Sequence, residues 1–212
     1  LRRVTLDLVG RIPSIEETRS FAAEASPQKR AQAVDRLITS PEFHRHLAVV
    51  FDIMLMERRS DKHVKSAEFR EWLQQSFQQK RPYNEIVRDL LLADGTEEKQ
   101  RAASAFFLER DVEPNLLTRD IGRMFLGIDL QCAQCHDHPL IDDYHQADYF
   151  GIISFVNQLT VFRPDKKKPA LIGETVSGQS EFKSVFTERE AVTAPRLPAE
   201  VEIAEPSYPV GD

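Results

Sequence analysis

The sequence predicts a mainly α protein, with a multi-helix, bundle-like domain over residues 1–158 and a small β-rich extension over residues 159–212. Two patterns predict it. Helix-start residues, often followed by Pro, recur through the first three-quarters of the chain, each ahead of apolar residues at helical spacing. After Leu159 the apolar runs shorten and alternate with Gly, Ser, Pro and charge, as hairpin strands do. An apolar fraction of 41% suits a folded globular domain.

The chain begins at Leu1 within a helical pattern and without an initiator Met, so it reads as part of something longer. Ser14 and Glu17 have capping-box spacing ahead of Phe21. Ser26-Pro27 opens a helix whose Ala33, Val34, Leu37 and Ile38 share a face, and Ser40-Pro41 closes it and opens the next. There Phe43, Leu47, Val50, Phe51, Met54 and Leu55 form a broad apolar stripe, the pattern of a central, core-facing helix. Phe69, Trp72, Leu73 and Phe77 mark another helix, ended before Arg81-Pro82 because a residue preceding Pro is pushed out of the helical region. A further helix runs from Tyr83 to Ala93, Asp94-Gly95 stops it, and Thr96 to Arg101 reads as a loop.

Leu116, Leu117, Ile121, Met124 and Phe125 mark the helix leading to Gly127, which suits a left-handed C-terminal cap. Tyr149, Phe150, Ile153 and Val156 belong to a closing helix that starts near Asp143. Beyond Leu159, the runs Ala170–Ile172, Phe182–Phe186 and Ala191–Thr193 predict a small hairpin or meander. Pro206, Pro209 and Gly211 suit a linker to a further domain of the same polypeptide.

Charge and hydropathy narrow the function classes. A net charge of -6 argues against nucleic acid as a partner, because phosphate binding needs clustered Lys and Arg. The compact basic run Lys166-Lys167-Lys168 reads as a solvated loop. No stretch approaches the roughly 20 apolar residues of a membrane helix. G-x-S-x-G, Walker, G-x-G-x-x-G and H-E-x-x-H patterns are all lacking from the sequence. Whether the chain is an enzyme is left open, with electron transfer favoured over catalysis.

The chemistry concentrates in Leu130-Gln131-Cys132-Ala133-Gln134-Cys135-His136-Asp137-His138-Pro139, which holds both cysteines of the chain. Two thiols three positions apart can form thioethers to the two vinyl groups of one haem, with the next His on the iron. The expectation is therefore one covalent haem c, a cytochrome c type of metal-binding site. Cys132, Cys135 and His136 would hold it, His136 as axial iron ligand, with Met124, Phe125 and Leu130 as an apolar wall and His138 bonding to a propionate or to backbone. His46 is a candidate second iron ligand, because Phe43, Val50 and Ile53 share its helical face. His44, His145, Met54 and Met124 are weaker candidates for that role. Zinc held by Cys132, Cys135 and His136 or His138 is the alternative cofactor, although a fourth ligand is not evident locally. Buried inert thiols and a dithiol redox pair are further readings. An open sixth position on the iron would make the site a haem enzyme or gas sensor.

The segment Leu126–Pro139 followed by Asp148-Tyr149-Phe150-Gly151 resembles the cytochrome-like module of large exported planctomycete proteins, the second type of planctomycete cytochrome domain. Arg2–Pro13, Val34–Ile38 with Ser40-Pro41, and Arg81-Pro82-Tyr83 carry the same resemblance, which extends from Leu1 to about Phe155. It departs at Pro139-Leu140-Ile141, where relatives often place an aromatic residue after His-Pro. The resemblance implies a module followed by a further domain in an exported protein. Haem attachment on the outer side of the cytoplasmic membrane implies a periplasmic or cell-surface location and a redox partner protein.

Overall fold

The computed structural model describes residues 1–59, 61–175 and 178–204, and is mainly helical, with two small antiparallel sheets near its C-terminal end. The proposed linker residues Pro206, Pro209 and Gly211 lie outside the described residues. Two compact units form: Leu1–Ala93 with Glu98–Phe106, and Asp94–Glu97 with the chain from Phe107 onward. Strands of the β-rich extension pack with the last helix inside the second unit.

In the first unit, α1 (Arg2–Val9), α2 (Ile15–Ala23), α3 (Lys29–Ile38), α4 (Pro41–Met56), α5 (Ser66–Gln78) and α6 (Tyr83–Leu92) follow in order. Ser14 and Glu17 form the expected capping box on α2, and the Ser40 hydroxyl accepts the Phe43 N–H at the start of α4, with Pro41 in its first turn. Helix α4 is central, packing on α1, α3 and α5, and Phe51 meets Phe77 of α5 and Tyr83 of α6 edge-on. Its buried face is narrower than the sequence stripe: Ala48, Leu55 and Met56 are buried, whereas Val50, Ile53 and Met54 remain 44%, 43% and 42% exposed.

A short helix α7 (Ala105–Leu108) precedes α8 (Pro114–Ile121). Glu113 caps α8 by accepting the Asn115 and Leu116 N–H groups. One π-helical turn, Gly122–Leu126, then ends on Gly127, which takes the expected left-handed conformation at φ 69°. The cysteine box forms a 3-10 turn, Gln131–Gln134. Helix α9 (Gln146–Val156) starts after His145, whose N–H the Asp148 carboxylate accepts, and the Asp137 carboxylate, nine positions upstream, accepts the Gln146 N–H.

Strands β1 (Leu159–Phe162) and β2 (Leu171–Glu174) pair antiparallel, as do β3 (Ser180–Lys183) and β4 (Glu190–Thr193). These are two separate hairpins, and β1 is a strand that the run of short apolar segments did not single out. Lys166–Lys168 lies exposed in the β1–β2 loop around an Asp165 turn. Among the described residues no helix is long and apolar enough to cross a membrane.

Candidate cofactor-attachment site

The 3-10 turn of the box sorts its residues by face. Leu130 and Ala133 point inward and pack with Tyr149, Ile152 and Ile153 of α9. Cys132 and Cys135 therefore emerge on the outside, both as free thiols. The turn is anchored from behind: Asn115 Oδ1 accepts the Tyr149 hydroxyl at 3.0 Å and the Gln134 side-chain amide at 3.1 Å. Burial pushes the Tyr149 hydroxyl well above its ordinary pKa, with Glu113 and Cys135 adding to the effect, so it remains a neutral donor.

His136 is half-buried. Its Nδ1 lies 2.6 Å from the Asp137 carbonyl oxygen, a contact that fixes Nδ1 as the protonated nitrogen and Nε2 as the basic one. Nε2 has no partner among the described residues. The ring leans on Phe186 with centroids 4.8 Å apart. His136 opens onto a cleft of about 670 Å³ whose wall includes Phe182, Phe186, Arg189 and Ala191 of the β3–β4 hairpin. A second cleft of about 470 Å³ holds Cys132 with His138, Ile141 and Tyr144.

The hairpin is fastened to the box and to α9. The Val185 N–H donates to the Cys135 carbonyl at 3.0 Å, and the Gln146 side-chain amide donates to the carbonyls of Gln134 and Lys183. Phe182 stacks on Phe150 at 4.9 Å, and the buried Ser154 hydroxyl bridges Ser180 and the Thr193 carbonyl.

Residues 1–161 match the family described as PSCyt2, protein of unknown function (DUF1549). The chain belongs to this family. No curated protein and no solved structure matches it. The PSCyt2 name is a planctomycete cytochrome-like one, but its description assigns no activity. The labels cytochrome, haem, iron and electron transfer therefore have no standing here beyond that name.

The expectation of a metal-binding centre built from protein ligands is corrected. Among the described residues no three His, Cys, Asp or Glu side chains gather in a group that could hold a metal ion. The physical reason is the turn itself: it opens Cys132 and His136 into different clefts and commits the neighbouring polar groups to backbone. His138 Nδ1 accepts the Leu140 and Ile141 N–H groups, and Asp137 caps α9. A zinc site at the box loses its ligand set in this way.

The remaining expected site residues fall as follows. His46 lies in the first unit with its imidazole pressed against Gly10, whose φ of 72° ends α1. Met124 and Phe125 sit half-buried in the π-helical turn and line neither cleft beside the box. His145 precedes α9, with its Nδ1 3.9 Å from Asp137 Oδ1. The wall that sequence reasoning missed is Phe182, Phe186 and Arg189, which lies past the family match. Only the run Phe182–Phe186 hinted at it, and as a strand rather than as part of a site.

Proposed function

We propose that the Cys132–His136 turn attaches one haem c and that this PSCyt2 module, of the second planctomycete cytochrome type, passes single electrons within a larger exported protein. A porphyrin brings four nitrogens of its own to the iron, so the chain need supply one imidazole rather than a three-ligand group. The observation that carries the reading is His136: its Nδ1 is held by the Asp137 carbonyl and its Nε2 is unengaged, in the same short turn as two exposed thiols, so that one haem would span the mouths of the two clefts onto which Cys132 and His136 open. Each thiol would add its S–H across one vinyl double bond, sulfur to one carbon and hydrogen to the other, with no leaving group and no net oxidation. When bound, the group would supply a one-electron couple; the chain's residues orient the imidazole and present the two sulfurs. This reading carries with it a periplasmic or cell-surface location, a redox partner protein and further domains on the same polypeptide.

The test is export of the chain from a host that matures c-type cytochromes. The expected product is red, keeps its Soret and α bands through acid-acetone extraction, and gains the mass of one haem. Cys132→Ala with Cys135→Ala abolishes the attachment. A colourless product with the bare polypeptide mass and two alkylatable thiols overturns the reading.

A further inference from the structure

Next to Cys132, a closed loop holds two aliphatic side chains in water. The His138 N–H donates to the Tyr144 carbonyl at 2.8 Å, the Tyr144 N–H donates to the Ile141 carbonyl at 3.1 Å, and the His138 ring accepts the Leu140 and Ile141 N–H groups. Leu140 is left 87% exposed and Ile141 40% exposed. Ile141 and Tyr144 line the cleft onto which Cys132 opens, together with Asp129. Asp142 and Asp143 follow directly, both exposed, and neither they nor Asp129 has an ion pair among the described residues. From Met124 to Phe162 the sequence carries five Asp and no Lys or Arg, so all 28 basic residues of the chain lie outside that stretch. Only acidic charge therefore lines the Cys132 cleft, whereas the His136 cleft mixes Arg189 and Arg196 with Asp137 and Glu202.

We propose that Leu140 and Ile141, with Asp129, Asp142 and Asp143 around them, form the docking face for the redox partner, and that this partner is a basic protein with Lys or Arg around a small apolar centre. The inference rests on the haem reading above. An apolar centre with a charged rim is the anatomy of a protein interface, and electron-transfer encounters bury less surface than stable complexes do. Two aliphatic side chains beside the tethering sulfur suffice for such a contact. Three carboxylates without a counter-ion repel an acidic partner and attract a basic one, and a face of one sign speeds encounter with the opposite sign. In the encounter one electron passes from the reduced iron of one protein to the oxidised iron of the other, and no atom is transferred.

The probe is mitochondrial cytochrome c, a small protein with lysines around its exposed haem edge. Matured protein and probe are mixed by stopped flow in both redox combinations, so that electron exchange runs downhill in one of them. Ionic strength is raised from about 0.01 M to about 0.15 M, which shortens the reach of charge from roughly 30 Å to roughly 8 Å. The expected rate constant falls about tenfold or more over that range. Asp129→Asn with Asp142→Asn and Asp143→Asn removes most of the salt dependence. The control Glu16→Gln with Asp35→Asn and Glu68→Gln, which takes the same charge from exposed positions of the first unit, keeps most of it. Leu140→Ser lowers the rate at both ionic strengths while haem content and absorption spectrum stay as in wild type. A salt-independent rate, or equal salt dependence in the two triple variants, overturns the docking inference and leaves the haem reading standing. A changed haem spectrum in Leu140→Ser also overturns it, by making Leu140 a cover for the haem. A wild-type product without haem overturns both.

Discussion

Arg196 lies across Gly151 in the middle of α9: its N–H donates to the Gly151 carbonyl at 3.3 Å and its guanidinium pairs with Asp148 one turn earlier. A Cβ at position 151 would fall 2.9 Å from the Arg196 carbonyl oxygen and closer still to its Cγ. Ala is the better helix former by about 1 kcal/mol, yet overpacking against backbone costs about 1–3 kcal/mol. Gly151→Ala is therefore expected to destabilise the second unit in urea denaturation; a stabilised variant would show that Arg196 moves away at no cost.

Asp120 is 1% exposed and takes two guanidiniums, Arg110 Nε and Arg119 Nε, each at 2.7 Å. Burial alone would raise its pKa, but the hydrogen bonds from Arg110 and Arg119 outweigh it and hold the carboxyl below its usual range. Asp120→Asn removes a counter-charge of the Arg110 guanidinium, whose side chain is fully buried, and is expected to cost about 3–5 kcal/mol. Arg119→Gln, at the more exposed partner, costs clearly less. Equal losses in the two variants by denaturant midpoint would contradict the assignment of the buried pair as the dominant one.

In the first unit, Glu17 accepts from Arg11 and from the Ser14 N–H, which together lower its pKa from 4.5 to about 2. A depressed folded-state pKa stabilises the fold above the unfolded value, and that contribution is lost as pH falls. Thermal stability is therefore expected to drop between pH 4.5 and 2. Glu17→Gln lowers it at neutral pH and flattens that part of the profile. A parallel profile in the variant would remove Glu17 as its source.

What was legible in the sequence is what is decided locally. Ser14 with Glu17, Ser40 with Pro41, and Gly127 each fix a helix end through groups within a few positions, so their identities sufficed. At the start of α9 the local part was legible in principle, since Asp148 accepts the His145 N–H, whereas the second acceptor, Asp137, reaches the Gln146 N–H from the box loop. The wall beside His136 was invisible for the same reason: Phe186 follows it by fifty positions, and an aromatic in a hairpin loop carries no mark of where it will dock. The α4 stripe was read too broadly, since its neighbours cover only part of the face that spacing makes apolar.

Lys80 follows α5 at φ 53°, with Lys80 N–H bonded to the Phe77 carbonyl and Arg81 N–H to the Ser76 carbonyl. This is the helix-ending motif in which Gly is favoured, because a left-handed residue with a Cβ costs about 1–2 kcal/mol. Lys80 is exposed, so little packing is lost with its side chain. Lys80→Gly is expected to raise stability by about 1 kcal/mol or slightly less, the greater chain entropy of Gly offsetting part of the gain. Lys80→Ala, which keeps the strain, supplies the control, and an equal effect in both would locate the gain elsewhere.

Ala133 is fully buried between the two outward cysteines, against Leu130, Tyr149 and Ile152. A larger side chain there must either displace α9 or lift the 3-10 turn, and overfilling a packed core costs about 1–3 kcal/mol. Lifting the turn also disturbs the spacing of the thiols relative to His136. Ala133→Leu is therefore expected to lower the denaturant midpoint and the amount of haem attached per chain on export through c-type maturation. Gln134→Leu, at the neighbouring exposed position, loses one hydrogen bond to Asn115 and should lower attachment clearly less than Ala133→Leu. A normal midpoint and normal haem yield in Ala133→Leu would mean that the buried alanine does not hold the cysteines outward.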